Sequence, residues 1–442
     1  MDVKLFTQKL FARAKELGAE QSQATYSASE SFETNVFKGE VLEYSVSNDA
    51  VLTFKTLVNG KIGTCTTEVF DEDAVDFVAE NAIQNAKLIE SEDVQLMYDG
   101  HGEYKTVDSN STVIDKYTEA DKIALAKYLE EKAVSADERI EQVEGSEIIS
   151  ARNTRSIENT LGLSVSNTSS EMLGYIAPVA KDGENVSSGF SVFTIDETGK
   201  EGCDKAIAEA NKEAIDYLSA EPVASGKYKC IFRYDAAATL LATFAGIFSA
   251  ESAQKGLSLL AGKENTVIAS EAVTLIDDPL MAHSSSSCPF DSEGVPTYTK
   301  EVISSGKLTT LLHNLKTALK QGVESTGNAS GSGVGMFNFF FKPGEKNFDE
   351  LCAEMENGLV ICSMQGMHAG ANPISGDFSL SAKGYKVENG KITGAVKQIT
   401  VASNFYTVLK DIVSVGSDLR FAQGGGIGSP SVLISEISVA GK

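Results

Sequence analysis

Tryptophan is absent from this 442-residue chain, and histidine occurs only four times. His101, His283, His313 and His368 lie too far apart for any two to share a helical turn. That excludes H-E-x-x-H and its close variants, which place two imidazoles and a water-activating Glu on one helix. A metal site assembled from distant His and Cys stays open. The six cysteines, Cys65, Cys203, Cys230, Cys288, Cys352 and Cys362, form no C-x-x-C pair. Sparse, scattered thiols argue against a disulfide framework and fit reduced cysteines in a cytosolic protein. No stretch approaches the roughly 18 apolar residues of a membrane helix. The opening MDVKLFTQKLFARAKELG lacks the apolar core of a signal peptide. The expected location is therefore the cytoplasm, with no membrane partner. Bases are scarce in the first half: residues 1–222 hold 42 Asp and Glu against 20 Lys and Arg, a balance of −22, whereas residues 223–442 hold 20 and 18, a balance of −2. An acidic half repels phosphate backbones, so direct nucleic-acid binding is not expected. The asymmetry itself points to separate domains.

At 42% hydrophobic and 23% charged, the composition is that of a folded globular protein rather than a disordered one. Val3, Phe6, Leu10, Ala14 and Leu17 recur at helical spacing, and Gly18 follows as a stop. Residues 19–68 then alternate like a meander of strands, with Lys38-Gly39 and Asn59-Gly60 as hairpin turns. The spacing predicts helices over about 71–88, 119–134 and 200–218, the second opened by a capping box at Thr118 and Asp121. Between them, 90–117 reads as a polar linker, and strands are expected near 138–150, 155–167, 171–181 and 187–196. Pro222 and Gly226 mark a domain boundary. Beyond it come a short strand, a helix from Asp235 to about Ser249, a helix near 309–321, and otherwise short strands with Gly/Ser-rich loops. The expected fold is α+β: an N-terminal unit of mixed helix and antiparallel sheet over 1–222, subdivided near residue 100, and a β-rich unit over 223–442.

Each chemical motif has a plain structural alternative. MAHSSSSCPFDSEGVP gathers His283, Ser284 to Ser287, Cys288 and Asp291, which suggests a nucleophile. Catalytic partners, however, meet in space rather than in sequence, and a run of serines before Pro289 reads better as a loop. GKE at 262–264 lacks the Ser/Thr of a P-loop. GNASGSGVG at 327–335 and GGGIG at 424–428 fit no dinucleotide fingerprint and read as tight turns. In GMHAGANPISGDFSLSAKGY at 366–385, a polar loop leads into an alternating strand, a common position for a binding site. The residues alone give two domains and no catalytic constellation.

A resemblance goes further. SCPFDSEGVPTYTKEVISSGKL, ESTGNASG, GMHAGANPISGDFSLSAKGY, NFYTVLKDIVSVGSDLRF and IGSPSVLISEISVAGK follow one another in the order seen in the C-terminal half of the TldD/PmbA group. STGNA, NPISGDFSLSAKGY and SPSVLI resemble its PmbA/TldE branch, and VFKGEVLEYSVSN with FKTLVNGKIGTC resembles the group's first domain. The resemblance implies a two-subunit cytosolic metalloprotease that trims unfolded or extended peptides, with links to peptide maturation, toxins and DNA gyrase. TldD-like subunits carry H-E-x-x-x-H on a helix early in this half, completed by a later Cys. Here that helix reads DAAATLLATFAGIFS and holds neither His nor Glu, and no Cys follows Cys362. The implied role is the non-catalytic subunit, with no catalytic residue, metal or cofactor of its own. Zinc is expected in a TldD-like partner, with a homodimer as the form of the chain alone. The expected contacts to extended peptide are His368, Asn372, Ser375, Asp377 and Phe378, near an exposed sheet edge. Two alternatives are a homodimeric scaffold and an independent peptidase using Cys288 or a composite metal site.

Overall fold

The computed structural model describes residues 1–90, 93, 95–421 and 425–442. Its first half is built on one antiparallel sheet. The strands are β1 (Gln21–Phe37), β2 (Glu40–Val58), β3 (Lys61–Thr67), β4 (Ile140–Asn159), β5 (Ser164–Asp182), β6 (Asn185–Ser188) and β7 (Ser191–Thr194). Their order is β3-β2-β1-β4-β5-β6, with β7 also paired to β5. This sheet therefore draws strands from both sides of residue 100. Both predicted hairpin turns form: Lys38 and Gly39 take φ of 52° and 78°, Asn59 and Gly60 of 49° and 73°. Two successive positive φ values define the type I′ turn, which is why a glycine stands second in each.

Helices α1 (Val3–Glu16) and α2 (Glu72–Lys87) pack on β1 and β2 through Phe6, Leu10, Leu52, Phe54 and Val78. Helices α3 (Glu119–Ala136) and α4 (Lys200–Asp216) cover β1, β4 and β5 through Leu125, Leu129, Ile148, Met172 and Ile207. The capping box of α3 forms as read, with Asp121 N–H donating to Thr118 Oγ1 and Thr118 N–H to Asp121. The strands depart from the expected division. β4 runs unbroken through Ala151-Arg152-Asn153-Thr154, where the polar residues suggested a gap, and the turn falls instead at Gly162, with φ of 110°. Ladder pairing on both edges carries the strand through: Ala151–Thr154 pair with Ala28–Ser31 of β1 and with Thr168–Glu171 of β5. The segment read as a linker is irregular but docked: Ser111 N–H donates to Ser170 O and Ser170 N–H to Ser109 O.

The second half holds the remaining sheets. One has the order β17-β16-β15-β8-β20-β18, and β17 (Lys391–Asn404) also pairs with β20 (Val432–Ala440), so five strands close on themselves. Its other members are β8 (Gly226–Phe232), β15 (Gly358–Gln365), β16 (Asp377–Glu388) and β18 (Ile412–Val415). A second sheet runs β11-β10-β9-β14-β19, from Lys307–Leu308, Lys300–Ser304, Leu275–Asp277, Phe339–Phe341 and Ile427–Gly428. β12 (Ala329–Ser330) and β13 (Gly333–Val334) make a small hairpin. Between the larger sheets lies α5 (Tyr234–Phe244), whose Phe244 ring stacks on Phe405 at 4.7 Å. The helix expected near 309–321 shortens to Leu315–Gln321, because Asn314 accepts the Thr317 N–H and caps it there. No helix among the described residues is long and apolar enough to cross a membrane.

Candidate functional site

α5 is the helix on which the resemblance would expect a metal motif, and its composition decides what it can do. Ala236, Ala237, Leu240, Leu241 and Phe244 are buried in the core. The half-buried Thr239 and Thr243 add hydroxyls only, and the Thr243 hydroxyl donates to the Thr239 carbonyl. The helix's one carboxylate, Asp235, is held at its first turn: Arg233 Nε donates to both its oxygens at 3.0 and 3.1 Å, and a second guanidinium nitrogen also donates to it. Burial raises the Asp235 carboxyl, and the Arg233 charge opposes that shift.

Arg233 also reaches Glu213 of α4 at 3.2 Å, and Lys383 of β16 approaches the same carboxylate at 3.4 Å. The Lys383 ammonium lies 4.5 Å from the centre of the Tyr217 ring, which stacks on Tyr385. Arg420 makes two bonds to Glu209, at 2.8 and 3.0 Å, and a third to the Tyr234 hydroxyl. Fixed opposite charges thus join α4 in the first half to α5, β16 and Arg420 in the second. Cys362 is buried beside this cluster, where desolvation pushes its thiol up to about 12, far from the thiolate a metal requires.

The loop expected to touch peptide folds into a tight knot. Asn372 Oδ1 accepts the N–H groups of Ile374 and Ser375, and the Ser375 hydroxyl donates to Asp377 at 2.8 Å. Asn404 bonds both the Ser375 carbonyl and Asp377, whose carboxyl is lowered by those side-chain bonds. His368 is exposed on the one-turn helix Met367–Gly370, and Asn372 and Asp377 are exposed beside it. Phe378 is in the core, 4% exposed and facing Phe244. The structure therefore brings Asn372, Ser375 and Asp377 together, leaves His368 at their margin and places Phe378 beneath them.

The Ser/Cys loop holds no activated nucleophile. Burial raises the Cys288 thiol, and His283 turns to Asp108, with Nδ1 3.6 Å from the carboxylate. Of the glycine-rich segments, Gly424 lies outside the described residues. A buried polar cluster beside the Ser/Cys loop draws Lys300 and Asn328 from two of the segments that carry the resemblance. Lys300 Nζ donates to Asp277 at 3.2 Å and to Asn328 at 3.1 Å, while Asn328 Nδ2 donates to Asp277 at 2.7 Å. The signal for both ionic clusters was lone charges inside apolar strands, as in KCIFRYDAAATLL and TLIDDP, where burial demands a partner.

Zinc needs three or four converging N, S or O ligands. Among the described residues no three His, Cys, Asp or Glu side chains are so grouped. His101 pairs with Asp99, and His313 is buried away from the other imidazoles, its pKa lowered by desolvation. The described residues do not fit a catalytic zinc.

Family models place this geometry. The PmbA/TldA metallopeptidase domain 1 matches residues 24–86, the central domain 113–210 and the C-terminal domain 225–441. Metalloprotease PmbA of Escherichia coli O157:H7 is 29% identical over 325 residues, covering 72% of this chain and 70% of that protein. A Haemophilus influenzae PmbA homolog is 25% identical over 410 residues, covering 91% and 88%. The crystal structure of a proposed DNA gyrase modulator from Thermotoga maritima superposes with a TM-score of 0.92 at 35% identity, covering 99% of this chain and 100% of that one. TldE from Thermococcus kodakarensis shares the fold, with a TM-score of 0.89 at 21% identity, covering 99% and 100%. On three domains matched in order and near-complete superposition, the chain belongs to the PmbA/TldA metallopeptidase family.

Proposed function

We propose that this chain is the non-catalytic, PmbA/TldE-like subunit of a cytosolic metalloprotease that trims unfolded or extended peptides, with zinc supplied by a TldD-like partner. One observation carries the reading: α5 offers no imidazole, and its one carboxylate, Asp235, is neutralised by Arg233. Without a metal there is no water of lowered pKa, so the chain contributes surface and stability rather than hydrolysis. The peptide-facing surface in this reading is the exposed rim of His368, Asn372 and Asp377. Ser375 holds that rim in shape, and Phe378 supports it from the core.

The purified chain is expected to hold no stoichiometric zinc by elemental analysis and to leave a labelled unstructured peptide intact. Mixing with a relative that carries H-E-x-x-x-H is expected to give cleavage faster than that relative alone. Cleavage by this chain alone, lost on chelation, would overturn the reading.

A further inference from the structure

The chain carries a net charge of −24 and only six arginines. Five of them hold carboxylates: Arg13 pairs with Asp76 and Glu80, Arg139 with Asp137, Arg152 with Asp115, Arg233 with Asp235 and Arg420 with Glu209. Arg155 is the exception. It is half-buried near the end of β4 and makes no hydrogen bond, ion pair or ring contact with any described residue. Withdrawing a charge from water costs free energy unless a partner offsets it.

Arg155 lies on the face of the sheet turned away from α3 and α4. Ile148 of β4 points to those helices, and Arg155 is an odd number of residues further along the same strand. Its cross-strand neighbours are Ser27 and Asn167, and the next positions on that face are Ile157 on one side and Asn153, with Ser29 and Ser169, on the other. The surround is hydroxyl and amide, with no acid opposite or diagonal. The second half of the chain meets this face on both sides of Arg155. Phe290 shares an apolar cluster with Ile157, two residues along, and Ser285 Oγ donates at 2.8 Å to Glu171, which pairs with Ala151, four residues back. The Ser/Cys loop joins those contacts and passes close enough to feel the guanidinium: burial raises the Cys288 thiol and the Asp291 carboxyl, and the Arg155 charge works against both shifts. Asp291 is not its partner, because that carboxylate is buried and already accepts the N–H groups of Glu293, Val295 and Ala329.

We propose that Arg155 receives a carboxylate of an extended peptide laid between the sheet and the Ser/Cys loop. A guanidinium fork matches a carboxylate through two parallel N–H···O bonds. Ser27 and Asn167, whose Cα atoms flank Arg155 at about 5 Å, supply a hydroxyl and an amide as further donors. One cation among neutral groups balances one negative charge. A doubly charged phosphate leaves a charge unmatched beside Asp291 and Glu171. The carboxylate is either the C-terminus of the peptide or an Asp or Glu side chain within it. The proposal rests on the peptide reading and deepens it: it adds to the His368 rim a second contact, on the other half of the chain, and gives the subunit a preference among peptides.

Calorimetric titration of the full chain with three short unstructured peptides tests it. In the first the C-terminus is the only acid, the second is amidated and carries one internal Glu, and the third is amidated and carries no acid. Wild type is expected to bind the first or the second about tenfold or more tighter than the third, the scale of a charge-assisted hydrogen bond, and the stronger of the two identifies the source of the carboxylate. Arg155→Gln is expected to reduce that binding to the level of the acid-free peptide. Arg155→Lys is expected to restore part of it, since an ammonium keeps the charge and loses the fork. Arg152→Gln, on the opposite face, is expected to bind as wild type does. Because Arg155 has no partner in the fold, Arg155→Gln is expected to melt no lower than wild type. Acid-bearing peptides that bind Arg155→Gln and wild type alike would overturn the proposal and leave the peptide reading standing. So would equal binding of all three peptides by wild type, a lower melting temperature for Arg155→Gln, or tighter binding of inorganic phosphate than of any peptide. Failure of wild type to bind any of the three would overturn the peptide reading with it.

Discussion

Lys300 shows what a single residue costs and secures in this fold. Its side chain is 4% exposed, and its ammonium lies against the fully buried Asp277. Desolvation lowers the Lys300 pKa, and the aspartate works against that shift. Asp277 is satisfied on every side: it accepts from Lys300, from Asn328 and from the Phe337 N–H at 2.8 Å. Asn328 accepts in turn from the Thr326 hydroxyl and donates to the Gly335 carbonyl. The group ties β9 and β10 to the loop that carries STGNA, so those residues belong to a buried hydrogen-bond network rather than to a phosphate cradle. Lys300→Met keeps the volume and removes the charge, leaving Asp277 buried without its cation. It is expected to destabilise the protein by about 3–5 kcal/mol, read as a lower denaturation midpoint in urea. A loss under about 1 kcal/mol would mean that water replaces the ammonium and that the pair does not hold this region together.

At the scale of elements, close backbone approach explains how the first helices sit on the sheet. Gly63 of β3 faces α2 at a point where a Cβ would lie 1.9 Å from the Ala82 carbonyl oxygen and 2.2 Å from the Ala86 nitrogen. Both contacts are backbone, so no side chain can swing aside. Gly63→Ala is expected to push α2 off the sheet and destabilise by about 1–3 kcal/mol, with a matching fall in melting temperature. An unchanged melting temperature would show that the strand end moves instead. Elements of this kind were legible wherever geometry leaves a mark on residue type. Asn59-Gly60 announces its turn because two positive φ values favour those residues, and Thr118 with Asp121 announces α3 because a cap needs those side chains. α5 starts where the spacing predicts and ends earlier. The expected helix to Ser249 gives way after Phe244 to a tighter turn over Ala245–Phe248, and Ser249 then caps a new short helix. Two local signals mark that break, Gly246 inside the turn and Ser249, whose hydroxyl accepts the Glu251 and Ser252 N–H groups. The candidate site divides in the same way. The loop at 366–378 was legible as a turn from its Asn, Pro and Gly, but Asn404, which holds that turn closed, stands far along the chain. The lone charges of KCIFRYDAAATLL signal that Arg233 needs a partner, but not which one, since Arg233, Glu213 and Lys383 meet only after both halves have folded.

Across the whole molecule, the two halves meet over buried acids as well as over fixed ion pairs. Tyr104 donates to the Gly294 carbonyl at 2.7 Å, and its ring lies edge-on to Phe290. Between those residues Asp291 accepts N–H groups from Glu293, Val295 and Ala329. Glu293 is the next acid along, and it is raised to about 7 by burial and by the Asp291 charge, against the pull of the Leu315 N–H it accepts and of Lys55 on β2. The sign follows from linkage. With the folded value near 7 and the ordinary value at 4.5, the native state binds more protons than the unfolded chain between those limits. Glu293 therefore favours the fold fully below about pH 4.5, and its contribution falls as pH rises toward 7, by on the order of 3 kcal/mol in total. Glu293→Gln keeps an acceptor for Leu315 and cannot ionise. Denaturation in urea at pH 5 and pH 7.5 is expected to give the wild type a smaller gain, or a larger loss, with rising pH than the variant. The variant is expected to be the more stable of the two at pH 7.5 and the closer match to wild type at pH 5. Parallel pH profiles for the two proteins would show that Glu293 ionises freely at the junction, and that water reaches between the halves where the packing of Tyr104 and Phe290 excludes it.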